Sequence, residues 1–172
     1  MSDWRANFEQ LLRANQHMVF GLAVHFLRDR TTAEEIAQDV FLALHKNLRA
    51  VSSEEHARYW LRRVTAQRCI DYARRHPAVN VAMEDVPEPS VAAVENDVFL
   101  QERLRKLIAM LAPDARAVML LRYQEDLSPP EIAATLSMPV ATVKSHLQRS
   151  LAGLREKMNR SQVSGVRFQE KP

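Results

Sequence analysis

The chain has 172 residues, room for one domain or two small ones, which excludes a large multidomain enzyme. Its three glycines and single cysteine, Cys69, leave no glycine-rich phosphate loop, internal disulfide or cysteine zinc cluster, and no apolar run approaches the roughly 20 residues of a membrane helix; a soluble protein of the reducing cytosol, without metal, cofactor or membrane contact, is expected. The net charge of +3 is unevenly spread, with +3 in residues 1–76, −5 in residues 77–97 and +5 in residues 98–172, so two basic blocks suited to a polyanion flank an acidic one.

From the N-terminus, Phe8, Leu12, Asn15, Val19, Leu22 and Phe26 recur every three or four residues, with Leu11, Met18 and Leu27 widening the stripe, so a long amphipathic helix is expected. A second is expected to start at Thr31 or Thr32, where a threonine can cap the first turn while Glu34 and Glu35 sit near the positive end of the helix dipole. Its apolar face runs through Ile36, Val40, Leu44 and Leu48, joined by Ala37 and Phe41. After the polar break from Val51 to Glu55, a third helix runs from about His56 to Arg75 through Trp60, Leu61, Val64 and Ile70, and Pro77 stops it. No strand-like alternation interrupts residues 1–76, which read as one small helical domain. Residues 77–97, with Pro77, Pro87 and Pro89 and no helical periodicity, read as an acidic flexible linker.

In residues 98–160 a second small helical domain is expected. Leu100, Leu104, Leu107, Ile108 and Leu111 mark one helix, and Pro113 suits the first turn of the next, which carries Val118, Leu121 and Arg122. Ser128-Pro129-Pro130-Glu131 has capping-box spacing, with Ser128 as N-cap. The short helix so started runs through Ile132, Ala133 and Leu136, breaks at Ser137-Met138-Pro139 and restarts toward Thr142 and Arg149, a helix-turn-helix. Ala133 is small where two helices must cross, and Ile132, Leu136, Met138, Val143 and Leu147 supply the core between them. Thr142, Lys144, Ser145, Gln148 and Arg149 then face outward, side chains suited to phosphates and base edges, although an ordinary helical hairpin also carries a polar face. The tail 161–172 is polar apart from Val163, Val166 and Phe168.

Taken together, the segments from about Phe8 to Met158 resemble the bacterial sigma factors of the extracytoplasmic-function type, in the sigma-70 family. The stretch from Thr32 to His45 resembles the segment that docks on the clamp helices of the largest RNA polymerase subunit. Residues Arg58 to Arg75 are similar to the helix that opens and reads the minus-ten promoter element. The stretches Leu111 to Arg122 and Leu127 to Arg149 resemble the domain that reads the minus-thirty-five element. The resemblance implies an all-α fold of two domains and a non-enzymatic transcription initiation factor. Its implied partners are core RNA polymerase, promoter DNA and, since family members are often held inactive by one, an anti-sigma factor.

Residue by residue, the resemblance implies polymerase docking by Glu34, Glu35, Gln38, Asp39 and Phe41, acids and an amide beside one aromatic anchor. It implies minus-ten capture by the loop from Leu48 to Glu55, with Ser52 and Ser53, and by Trp60, Arg63 and Gln67 on the third helix, Trp60 being equally suited to a core. It implies minus-thirty-five contacts by Thr142, Lys144, Ser145, Gln148 and Arg149. Gln67 stands where the family often has asparagine, and Ala50-Val51-Ser52-Ser53 replaces its aromatic-arginine-glycine loop signature. The acidic linker would thread the polymerase channel, or serve as a plain solvated tether. The rival reading is a stand-alone helix-turn-helix regulator binding a palindromic operator as a dimer. An enzyme is not expected: the six histidines form no H-E-x-x-H or similar metal spacing, and Cys69 reads as a small buried residue.

Overall fold

Buried Leu11, Val19, Leu22, Ala23, Phe26 and Leu27 lie on one stripe of α1 (Trp4–Leu27), as their three- and four-residue spacing dictates. The computed structural model describes the backbone of residues 4–77 and 96–166 and the side chains of residues 7–77 and 100–160. Nearly all of the expected linker, with Glu84, Asp85 and Glu88, lies outside the described residues, as do the side chains of the tail. Among the described residues the remaining elements are α2 (Arg30–Asn47), a 3-10 turn (Leu48–Ala50), α3 (Glu54–Arg75), α4 (Asn96–Ala109), α5 (Pro113–Tyr123), α6 (Pro129–Leu136) and α7 (Val140–Val166), with no strand. The backbone of α4 starts inside the expected linker, and that of α7 continues into the expected tail.

The junction of α1 and α2 differs from expectation. The N-cap of α2 is Asp29, whose carboxylate accepts from the Thr31 N–H at 3.1 Å and from the Thr32 hydroxyl at 2.6 Å. A carboxylate offers two acceptor oxygens at once, so it outcompetes a threonine for the cap, and Thr32 becomes its buried partner. Those bonds, the Thr32 hydroxyl foremost, hold the Asp29 carboxyl below its ordinary pKa. The helix α3 likewise starts two residues early, because Ser53 caps it by accepting from the His56 N–H at 3.0 Å.

The helix α3 lies between the two halves of the molecule. Its buried residues, Ala57, Leu61, Thr65, Ala66, Cys69, Ile70 and Ala73, are mostly small and spread around much of the circumference. Small side chains on two faces let α1 and α2 approach from one side and α5 and α6 from the other. A single hydrophobic cluster therefore runs from Val19, Phe26, Val40 and Leu61 through to Val118, Leu121, Ile132 and Val143. Each fully buried Leu, Ile or Phe in it contributes roughly 1.5 to 3 kcal/mol. The two halves are packed on each other rather than held apart.

Cys69 sits in that core, and burial pushes its thiol up to about 12. The folded thiol stays protonated while the unfolded chain ionises near its ordinary value of 9.0, so this group's contribution to stability is complete below that value and is lost as pH rises toward 12. The folded chain should resist iodoacetamide at pH 8 and react only when urea unfolds it. Rapid alkylation under native conditions would contradict that burial.

In the C-terminal half the capping box forms as the sequence predicts. The Glu131 carboxylate accepts from the Ser128 N–H at 2.7 Å and from its hydroxyl at 2.6 Å, which lowers the Glu131 pKa. The contribution is therefore present above the ordinary carboxylate range and disappears as pH falls. Replacing Ser128 by Ala should cost about 1 kcal/mol in a urea melt at pH 7 and less at pH 3. The helix α6 stops at Ser137, which takes a left-handed conformation (φ 54°) and passes its N–H to the Ala133 carbonyl. That left-handed residue turns the chain into α7 and completes the helix-turn-helix.

Candidate nucleic-acid and polymerase interfaces

The exposed face of α7 is the most direct outcome of the local sequence. Val143 is fully buried against α6, and Ile132 and Ala133 close the angle between the helices. With that face fixed inward, Thr142, Lys144, Gln148 and Arg149 are exposed and Ser145 is partly so. Hydroxyl, ammonium, amide and guanidinium groups thus stand on one surface, the donor set that phosphates and base edges require.

On α3 the expected minus-ten residues are less uniform. Arg63 and Gln67 are exposed one turn apart, whereas Trp60 is half-buried against the core. The Gln67 amide donates to Asp71 at 3.0 Å. Ser53 is committed to capping α3, and the Ser52 hydroxyl lies 3.0 Å from His56 Nδ1. The loop therefore has a defined local conformation, set by these two serines.

The basic side chains of α3 divide between neighbours. Arg68 Nη1 meets Asp39 at 3.2 Å, tying α3 to α2. Arg62 Nε meets Glu125 Oε2 at 2.9 Å, and Arg74 Nη2 reaches both oxygens of Asp114 at 2.9 and 3.0 Å. The Tyr59 hydroxyl donates to the Ala134 carbonyl at 3.1 Å. A cleft of about 340 Å³ between the halves is lined by Gln67 and Arg74 of α3, Asp114 of α5, and Thr142 and His146 of α7. Residues expected to touch two different promoter elements thus face one space. Glu125 and Asp114 were not legible as functional, because their partners lie more than 35 positions away in the chain.

On the opposite side, α1 and α2 form an apolar groove of about 540 Å³. Phe8, Leu12 and Phe20 line it from α1, and Gln38, Phe41 and Leu42 from α2. Glu34 stands at its rim, paired with Arg30 at 2.9 Å, and Glu35 and Asp39 are exposed alongside. Leu42 is 59% exposed, an apolar side chain left facing water. Phe8 and Leu12 belong to the stripe read from the sequence, whose width in fact serves both core and groove, whereas Phe20 lies outside that stripe. Among the described residues, no group of three His, Cys, Asp or Glu side chains is placed to hold a metal, and no helix is long and apolar enough to cross a membrane.

Comparison with known proteins places these features in one lineage. Residues 11–78 match the family model described as Sigma-70 region 2, and residues 101–154 match that of Sigma-70, region 4. The RNA polymerase sigma-E factor of Streptomyces avermitilis is 30% identical over 151 residues, covering 88% of this chain and 84% of that protein. The ECF RNA polymerase sigma factor SigW of Bacillus subtilis is 26% identical over 170 residues, covering 88% of each. The same fold occurs in a solved structure of the sigma factor RpoE in complex with the anti-sigma factor NepR from Bartonella quintana. It covers 89% of this chain and 97% of that one, with a TM-score of 0.68 and 21% identity. With both promoter-directing regions present in order and a relative that shares nearly the whole length, this chain belongs to the sigma-70 family of RNA polymerase sigma factors, in its extracytoplasmic-function group, and is a promoter-directing transcription initiation factor.

Proposed function

We propose a division of labour in which residues 1–76 bind core RNA polymerase and engage the minus-ten element while residues 98–160 read the minus-thirty-five element. The observation that carries it is the helix-turn-helix of α6 and α7, whose outward face gathers Thr142, Lys144, Ser145, Gln148 and Arg149. Docking falls to the α1/α2 groove, with Phe41 as apolar anchor and Glu34, Glu35, Gln38 and Asp39 as the polar surround facing a basic coiled-coil surface. On α3, Arg63 and Gln67 are the exposed side chains that can hold the backbone and the edge of an unpaired base, while Trp60 stiffens the helix from within. Ser52 and Ser53 shape the loop beside that base by fixing the start of α3. The protein works by binding and positioning, without catalysis of its own and in the cytoplasm. An anti-sigma factor covering the same groove or the recognition helix would silence it.

Replacing Lys144 or Arg149 by Ala should weaken binding of the holoenzyme to the upstream element by roughly 1 to 3 kcal/mol if a base contact is lost, and by less for a phosphate contact. Only the phosphate-contact loss should flatten the salt dependence without altering sequence preference. The test is run-off transcription on genomic DNA with purified core polymerase, with and without this chain. New, defined start sites are expected, and both substitutions should reduce them; an unchanged start-site map would overturn the reading.

A further inference from the structure

We infer that Asp71 is a positioning residue for base recognition, holding the Gln67 amide with its carbonyl oxygen turned away from the carboxylate. So held, Gln67 selects a base with an exocyclic amine, adenine or cytosine, over guanine or thymine, which carry a keto oxygen at the same place. The inference rests on the proposed reading of Gln67 as a minus-ten contact and names what that side chain reads.

Three observations carry it. First, Gln67 Nε2 donates to Asp71 Oδ1 at 3.0 Å, one turn along α3. An amide can offer either end to a neighbour, whereas a carboxylate only accepts, so the amino end must face Asp71 and the carbonyl oxygen the other way. Second, Gln67 is exposed while Asp71 is half-buried, so the reading group faces water and the group that orients it is restrained by its surroundings. Among the described residues no other side chain donates to Asp71, which sets this pair apart from the ion pairs of Arg62, Arg68 and Arg74. Third, Gln67 Oε1 and the Asp71 carboxylate crowd acceptors into one turn of the helix. A base amine is attracted there and a keto oxygen repelled. The donor for a phosphate stands apart, as the exposed guanidinium of Arg63 one turn earlier.

The N6 amine of adenine and the N4 amine of cytosine donate where guanine O6 and thymine O4 accept. A freely turning glutamine serves all four bases, because it offers whichever end fits. Held by Asp71, the amide keeps its acceptor outward with its second N–H alongside, which matches an amine next to a ring nitrogen.

The test uses the holoenzyme formed by the full chain and purified core polymerase. A start site mapped on genomic DNA supplies the promoter, made as fluorescein-labelled duplexes and followed by anisotropy. Each minus-ten position carries the four bases in turn, on one strand and then on the other, opposite an abasic site, so that every preference belongs to one strand. At one such position the unsubstituted chain should bind A or C about tenfold more tightly than G or T. Gln67→Ala should remove that preference there and leave the other positions as they were. Asp71→Asn, nearly equal in volume, should reduce it to about twofold at that position alone, since an asparagine both donates and accepts and lets the amide turn. Gln67→Glu combined with Asp71→Asn should restore the preference for an amine, because a carboxylate reads only donors however it turns.

A position released by Gln67→Ala that prefers G or T overturns the inference. So does a preference that Asp71→Asn leaves intact, or one that it erases at every position alike without recovery in the double variant, the mark of a merely structural role. A Gln67→Ala variant unchanged at all positions removes the minus-ten reading of Gln67 itself, and the inference with it.

Discussion

Substituting Phe41 and Asp39 together by Ala should abolish co-purification with core RNA polymerase while leaving the helical signal intact. Phe41 is half-buried, with its ring on the floor of the α1/α2 groove beside Phe8, Leu12 and Phe20, so a partner aromatic or aliphatic group entering the groove would complete its burial. Anchors of that kind commonly cost 2 kcal/mol or more when truncated, and the surrounding polar ring excludes water. Asp39 contributes on-rate and register through charge, and its own pair with Arg68 is exposed on both sides and worth little to folding. Together the two losses should weaken association by more than about a hundredfold, a change of roughly 3 kcal/mol. Because Phe41 also packs on the core, Leu42→Asp provides the cleaner companion. Its side chain is 59% exposed and stabilises the fold little, yet a carboxylate there would need desolvation on docking. Retained co-purification by both variants, measured by pull-down with tagged core enzyme, would move the docking surface elsewhere.

Legibility in the sequence followed the range of the interaction. The turn from α6 to α7 was readable because its determinants, Ser128, Glu131, Ser137 and Pro139, act within a few residues of one another. The apolar stripes of α1 and α2 were readable because burial imposes their period directly. The N-cap of α2 was misplaced because Arg28 takes a left-handed conformation (φ 56°) that no local signal marks, and this leaves Asp29 free to cap. What was not readable was the seam between the halves. The small residues of α3 imply close approach on two faces without saying of what, and an ion pair such as Arg62–Glu125 depends on a fold that brings the loop after α5 against α3. That three arginines of α3, Arg62, Arg68 and Arg74, meet carboxylates elsewhere in the chain is a property of packing alone.

Removal of the Arg116 side chain should destabilise the whole chain, since this arginine binds both halves at one point. It is 2% exposed, in the first turns of α5. Its guanidinium donates to the carbonyl of Phe26 at 2.9 Å, to that of Leu111 at 3.1 Å and to that of Ala109, and stacks on the Phe26 ring at 4.9 Å. Phe26 lies in the last turn of α1, where carbonyls lack helical partners and the dipole is negative, so a cation from α5 serves there as a C-terminal cap. Burial lowers the Arg116 pKa to about 10, which still leaves it charged at neutral pH. Arg116→Ala strips a donor from the deeply buried Phe26 carbonyl and opens a void beside its ring. The expected loss is on the order of 3 kcal/mol in urea unfolding at pH 7. Arg116→Leu fills most of the volume but restores no donor, and should recover only the packing share. Arg116→Lys restores a charge without the planar fork needed to span three carbonyls, and should recover a different share. If Leu restores full stability, the carbonyl bonds carry nothing and Arg116 is held by packing; if all three substitutions leave the unfolding midpoint within experimental error, the seam between the halves is not secured at this point.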